Sequence, residues 1–225
     1  MQYQFFNVHS HRRPRNPEEF VCRNAYHFLS SDTLSKSSCP VSVGMHPWHS
    51  AAFSADVLTR LKLLTNHPQV LAIGEAGLDK RNGPEMKVQI PCWEAQFALA
   101  CETGLPLIIH CVRAWQEILP DVRKAAFPLL FHDFRGNREV LNRLLPFPAV
   151  FFSFGKSLIQ SPESRQVFRC IPADRILTET DQAAISIREV YRKGAEIRQV
   201  NPVEFEEQIK KNARAFFGAK ALPFF

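Results

Sequence analysis

Residues 105–113, LPLIIHCVR, and residues 127–135, FPLLFHDFR, carry the reading that decides the fold. Each contains a proline-led apolar run, Pro106–Ile109 and Pro128–Phe131, and each run stops at a histidine, His110 or His132. A short apolar run bounded by polar or turn residues is the pattern of a strand buried on both faces. Six further runs are of this kind: Tyr3–Val8, Phe20–Phe28, Val41–Met45, Val70–Ile73, Val150–Phe154 and Arg175–Leu177. The second is interrupted by Arg23 and Asn24.

Between the runs lie stretches with apolar residues three and four apart, which predict helices over Ala55–Leu64, Pro91–Glu102, Ala114–Ala126, Arg138–Leu145, Ser164–Cys170, Ile185–Ile197 and Pro202–Phe217. Asn201 suits the N-cap of the last, with Pro202 at its first helical position. Strand–helix alternation argues for parallel pairing through helical crossovers. Eight units predict an α/β fold, a compact TIM-like (β/α)8 barrel spanning residues 1–225 as a single domain. The first crossover is too short for a full helix, so its helix is missing or vestigial. An open doubly wound sheet remains the rival arrangement.

The chain has 225 residues, 45% of them hydrophobic, enough for one sizeable core. It contains no apolar run long enough to span a membrane, and no basic segment leading into an apolar secretory core at its start. Its six cysteines form no CxxC pair, which speaks against a cysteine zinc site and fits reduced thiols in the cytoplasm. The net charge of +6 and pI near 9.1 lean towards polyanionic partners; no obligate protein partner is evident.

Polar residues gather at the ends of the apolar runs. In "NVHSH", His9 and His11 are two apart and share one face of a strand. Glu75 follows the apolar part of "LAIGEAGLD", His110 and His132 end their runs in matching positions, and "RILTETDQ" carries Glu179 and Asp181. In a barrel, all of these converge on the C-terminal mouth, where active sites are built. A buried carboxylate without compensation costs several kcal/mol, so the set calls for paired charge or metal. Taken singly, Glu75 and Asp181 could each instead cap a following helix.

Together with "VGMHPW", "FFSFG" and "DRILTETD", these motifs resemble TatD-type metal-dependent deoxyribonucleases of the amidohydrolase superfamily, in order and over nearly the whole chain. The resemblance implies two divalent ions, magnesium, manganese or zinc: one on His9, His11 and Asp181, the other on His110 and His132, with Glu75 bridging. It implies that Asp181 and Glu75 are the catalytic carboxylates, Asp181 orienting or deprotonating the attacking water, and that DNA is cleaved, as by an exonuclease. Charge counting agrees, since two dications against two carboxylates and a hydroxide stay net positive towards a phosphodiester. Four imidazoles favour zinc or manganese over magnesium, although the family is described as magnesium-dependent.

Substrate contacts are expected from Arg113, which has the fork to hold a phosphate oxygen, and from His46, Trp48 and Arg135, with Trp48 offering a stacking face. The chain departs from the family pattern at Asn7, where aspartate is usual and whose loss would loosen His9. It departs again at Asp133 and Arg135, where cysteine and serine are common, and at Gln182. Two rivals stand beside the nuclease: an ester or amide hydrolase of the same superfamily, such as an aminoacyl-tRNA deacylase or an enzyme of a small-molecule substrate, and a decayed barrel that only binds.

Overall fold

The computed structural model describes residues 3–26, 34–35, 37 and 39–224. Eight parallel strands form one sheet in sequence order: β1 Phe5–Ser10, β2 Glu19–Tyr26, β3 Val41–Gly44, β4 Val70–Asp79, β5 Leu107–Val112, β6 Leu129–Phe131, β7 Val150–Phe154 and β8 Ile176–Thr178. Such an order leaves β1 and β8 as the two edges, and they meet. Thr178 Oγ1 donates to the Phe6 carbonyl at 2.7 Å, and the Asp181 and His11 amides exchange hydrogen bonds with the His9 and Asp181 carbonyls, each at 3.1 Å. The seam makes the sheet a nearly closed barrel and excludes the open sheet.

The helices are α1 Ala55–Thr65, α2 Met86–Thr103, α3 Trp115–Val122, α4 Arg138–Leu144, α5 Lys156–Gln160, α6 Pro162–Cys170, α7 Ile187–Arg198 and α8 Pro202–Phe217. Helix α2 starts five residues before the expected position: Pro91, whose ring suits a first turn, lies inside the helix. No helix joins β1 to β2. Residues 11–18 reach at most about 27 Å when extended, enough to run back along a strand of roughly 20 Å. The expected strand Phe20–Phe28 holds as far as Tyr26; residues 27 and 28 lie outside the described residues.

Two faces of each strand are buried, one inside the barrel and one under the helices, which is why the runs read as continuously apolar. Phe5, Phe6, Phe151 and Phe152 are all buried core, as expected. Rings from helix and strand interlock: Phe154 packs edge-on against Phe168 of α6, and Phe151 against Phe216 of α8. Each fully buried phenylalanine contributes about 1.5–3 kcal/mol. Polar ties fix the angle of the outer layer. The Phe6 amide donates to the Tyr191 hydroxyl of α7, and Asn212 of α8 donates to the Ile176 carbonyl, both at 2.7 Å.

Candidate active site

Strand β4 runs six residues beyond its expected end, so Glu75 sits within the strand rather than past it. Glycines made this stretch look like a strand terminus. They serve close packing: a Cβ on Gly44 would lie 2.7 Å from the Gly74 Cα, and one on Gly77, at φ 151°, would lie 1.9 Å from the His110 carbonyl oxygen. Alternation then puts Glu75 and Asp79 on one face, four residues apart.

Glu75 is buried and its two oxygens face two groups of ligands. Oε1 lies 2.8 Å from His110 Nδ1 and from His132 Nε2, and 3.2 Å from His46 Nε2. Oε2 lies 3.5 Å from Nε2 of both His9 and His11, and accepts a hydrogen bond from Asn24 Nδ2 at 3.1 Å. Asp181 Oδ1 completes the second group, 3.5 Å from His9 Nε2 and 3.3 Å from His11 Nε2. The structure thus brings together all six expected ligands and adds a seventh group. His46, expected to contact substrate, lies with Glu75 and His110 in a set able to hold a cation. Neither Glu75 nor Asp181 caps a helix; the next N-caps are Glu85 and Ser186.

The donors suit metal ions. Both ring nitrogens of His9 are buried without a hydrogen-bond partner, a costly arrangement for an imidazole left alone. Donors about 2.0–2.1 Å from a shared tetrahedral ion stand roughly 3.3–3.4 Å apart, which matches the spacing around His9, His11 and Asp181.

Electrostatics give the same picture. Burial would raise the Glu75 carboxyl, yet the imidazoles of His132, His11 and His110 hold it well below the carboxylate range. Burial likewise opposes ionisation of Asp181, and His11 and His9 overcome it. Burial pushes the His9 imidazole down, but the neighbouring Asp181 and Glu75 carboxylates outweigh it and raise it to about 9. His132 is raised too, burial being overcome by Glu75 and Glu179. His46 is lowered by burial, and its Nδ1 accepts a hydrogen bond from the Trp48 amide at 3.1 Å. The carboxylates demand positive charge, which protons or metal ions can supply.

A ring of supports holds the ligands. Asp79 accepts from the Trp48 indole at 2.7 Å and stands 3.1 Å from His110 Nε2, turning Nδ1 towards Glu75. Glu179, buried, faces His132 Nδ1 at 3.4 Å and is itself bonded by Ser153 Oγ. Asp79, Asn24 and Ser153 escaped the sequence reading. Asp79 could have been found from the i, i+4 spacing to Glu75; Asn24 looked like a break in a strand and has no such signal.

The remaining expected residues lie around the mouth. Trp48 is 45% exposed, its ring near His46 and His110. Arg113 is exposed in a left-handed turn ahead of α3, and Arg135 is exposed and paired with Asp133. Asn7 makes no hydrogen bond to His9, whose ring nitrogens are both without one. Its amide nitrogen donates to Glu19 and Thr180 at 2.9 and 2.8 Å, and its oxygen accepts from the Thr180 amide at 3.0 Å, so it clasps the seam.

A (β/α)8 barrel with histidines and carboxylates massed at its C-terminal mouth belongs to the class of barrels that build an active site from their strand ends. Residues 18–218 match the family described as TatD related DNase, and the chain belongs to that family. The Erwinia amylovora protein named "3'-5' ssDNA/RNA exonuclease TatD" is 32% identical over 207 residues, 80% of this chain and 78% of that protein. Its namesake in Erwinia billingiae is 37% identical over 153 residues, 64% of this chain and 57% of that protein. Among solved structures, a TatD homologue from Escherichia coli K12, YJJV, superposes with a TM-score of 0.83 at 19% identity, covering 96% of this chain and 99% of its own. A TatD family hydrolase from Entamoeba histolytica gives 0.78 at 17% identity, covering 95% and 98%. At such identities these structures establish the fold.

Proposed function

We propose that this chain is a metal-dependent nuclease that removes nucleotides from an end of single-stranded DNA, acting as one barrel domain. The observation that carries the reading is His9, buried with neither ring nitrogen hydrogen-bonded and with Nε2 3.5 Å from both Glu75 Oε2 and Asp181 Oδ1. His9, His11 and Asp181 would hold one divalent ion, His46, His110 and His132 the other, and Glu75 would touch both. Such ions supply Lewis-acid chemistry to a phosphodiester. The protein's own groups do the rest. Asp181 is 34% exposed at the mouth and stays ionised, so it orients a water by accepting its hydrogen bond. Arg113 would take a phosphate oxygen and Trp48 would stack a base. The relatives' printed names support a single-stranded substrate, and six free thiols fit a reducing cytoplasm.

Metal-stripped protein given labelled single- and double-stranded oligonucleotides, with magnesium, manganese or zinc restored separately, tests this. Release of mononucleotides that stops in His132→Ala is expected. Turnover of carboxylic esters without cleavage of any oligonucleotide would replace the nuclease by the ester-hydrolase reading.

A further inference from the structure

We propose that the cleft between the β6–α4 loop and the α5–α6 turn is a nucleotide subsite, taking the phosphate and base of the residue next to the cleaved bond. The proposal rests on the nuclease reading and deepens it. The cleft has a volume of about 530 Å³, room for one nucleotide and within the roughly 300–1,000 Å³ of small-molecule sites. It opens at the mouth. Arg135 follows His132 by three residues, so their Cα atoms are at most about 11 Å apart.

The two walls differ in chemistry. Arg135 and Arg138 bring guanidinium groups from the β6–α4 side, Arg138 reaching across to donate to Cys170 Sγ of α6; Gln160, Glu163 and Gln166 bring amides and a carboxylate from α5 and α6, Glu163 accepting from Ser161 Oγ at 2.8 Å. Guanidinium groups match a phosphate, whereas amides and a carboxylate match the hydrogen-bonding edge of a base. Glu163 repels phosphate, which sets the orientation: phosphate towards the arginines, base towards α6. A carboxylate accepts from an exocyclic amino group, so cytosine is favoured over thymine.

The cleft is built rather than incidental. Asp133, in a left-handed turn at φ 36°, accepts from Arg135 Nε at 2.8 Å and from Ser157 Oγ at 2.7 Å. It thereby ties the loop after His132 to the opposite wall and aims Arg135. Gly136 lets the loop fold over Phe134, whose ring would lie 2.5 Å from a Cβ there.

Fluorescence anisotropy of labelled dC and dT hexanucleotides, on metal-stripped full-length protein, reads the subsite without any cleavage. The dC strand is expected to bind several-fold tighter than dT, with the preference lost in Glu163→Ala. The double variant Arg135→Ser, Arg138→Ala should weaken both strands by on the order of tenfold and flatten the salt dependence. Arg123→Ala, which removes one positive charge at the far end of α3, should leave binding unaltered. Unchanged affinity in the double variant, equal loss in Arg123→Ala, or a wild-type protein that holds neither strand would overturn the subsite. Expected binding with no cleavage under any ion would overturn the nuclease reading and leave the subsite standing.

Discussion

At the scale of single residues, Asn7 shows how one atom decides compatibility. Its amide nitrogen is the donor that Glu19, a buried carboxylate, accepts at 2.9 Å. Asn7→Asp removes that donor and sets two carboxylates face to face. One of them is then raised above its unfolded value near 4, a stability lost as pH rises through that range. The variant should melt as wild type at pH 4 and be less stable by about 2–3 kcal/mol at pH 7, read by thermal unfolding across pH. Asp79 bears instead on the candidate metal cluster, through His110. Asp79→Asn leaves His110 free to turn, and removal of such a support costs about 10–100-fold in metal affinity. Calorimetric titration should show one weakened site, on His46, His110 and His132, and one unaltered site on His9, His11 and Asp181. Two equally weakened sites would contradict the division of the cluster. Histidines and carboxylates at strand ends were legible in the chain because their types are rare there. Asn24 and Asp79 were not, because an amide in a strand or a carboxylate after a glycine has many ordinary explanations.

At the scale of elements, apolar runs fall on the eight strands and periodic stretches on all seven expected helices, since burial on both faces and helical periodicity leave direct traces in residue order. What failed was the extent of β4. "IGEAGLD" reads as a strand that has ended, because glycine usually weakens strands. Here Gly44, Gly74 and Gly77 allow β3, β4 and β5 to approach closer than any Cβ would permit, and the approach sets Glu75 against three imidazoles. Gly77→Ala tests this. A methyl group 1.9 Å from the His110 carbonyl oxygen must push β5 away, at a φ that side chains rarely adopt. The variant is expected to lose on the order of 3 kcal/mol of stability in denaturant unfolding, and whatever remains folded should bind manganese weakly. Gly104→Ala, where φ is also positive but the space is open, should cost about 1 kcal/mol and leave metal binding as it is.

At the scale of the whole molecule, the cluster ties folding to pH and to metal. Imidazoles of His9, His11 and His132 are raised in the folded protein, His9 to about 9 from an unfolded value of 6.5. Groups raised in this way stabilise fully below the unfolded value and lose that contribution as pH climbs through the folded one. The metal-free protein should therefore lose melting temperature between pH 6.5 and 9. Glu75 and Asp181 are lowered, so their contribution is present above about 4 and lost only in stronger acid. Buried thiols add to the loss only at the upper edge of this window, since Cys92 and Cys111, pushed up to about 12, destabilise as unfolded thiols ionise near 9. Metal ions compete with the same protons. Ligands must shed them to bind, so the gain from saturating zinc or manganese grows as pH rises. Melting curves with and without ion should converge towards pH 5 and separate steadily towards pH 9, with the ion-loaded protein the more stable. Parallel curves, offset equally at every pH, would mean that the ion binds somewhere other than these imidazoles, and His11→Ala, which removes one donor at the accessible rim of the cluster, should flatten both trends together.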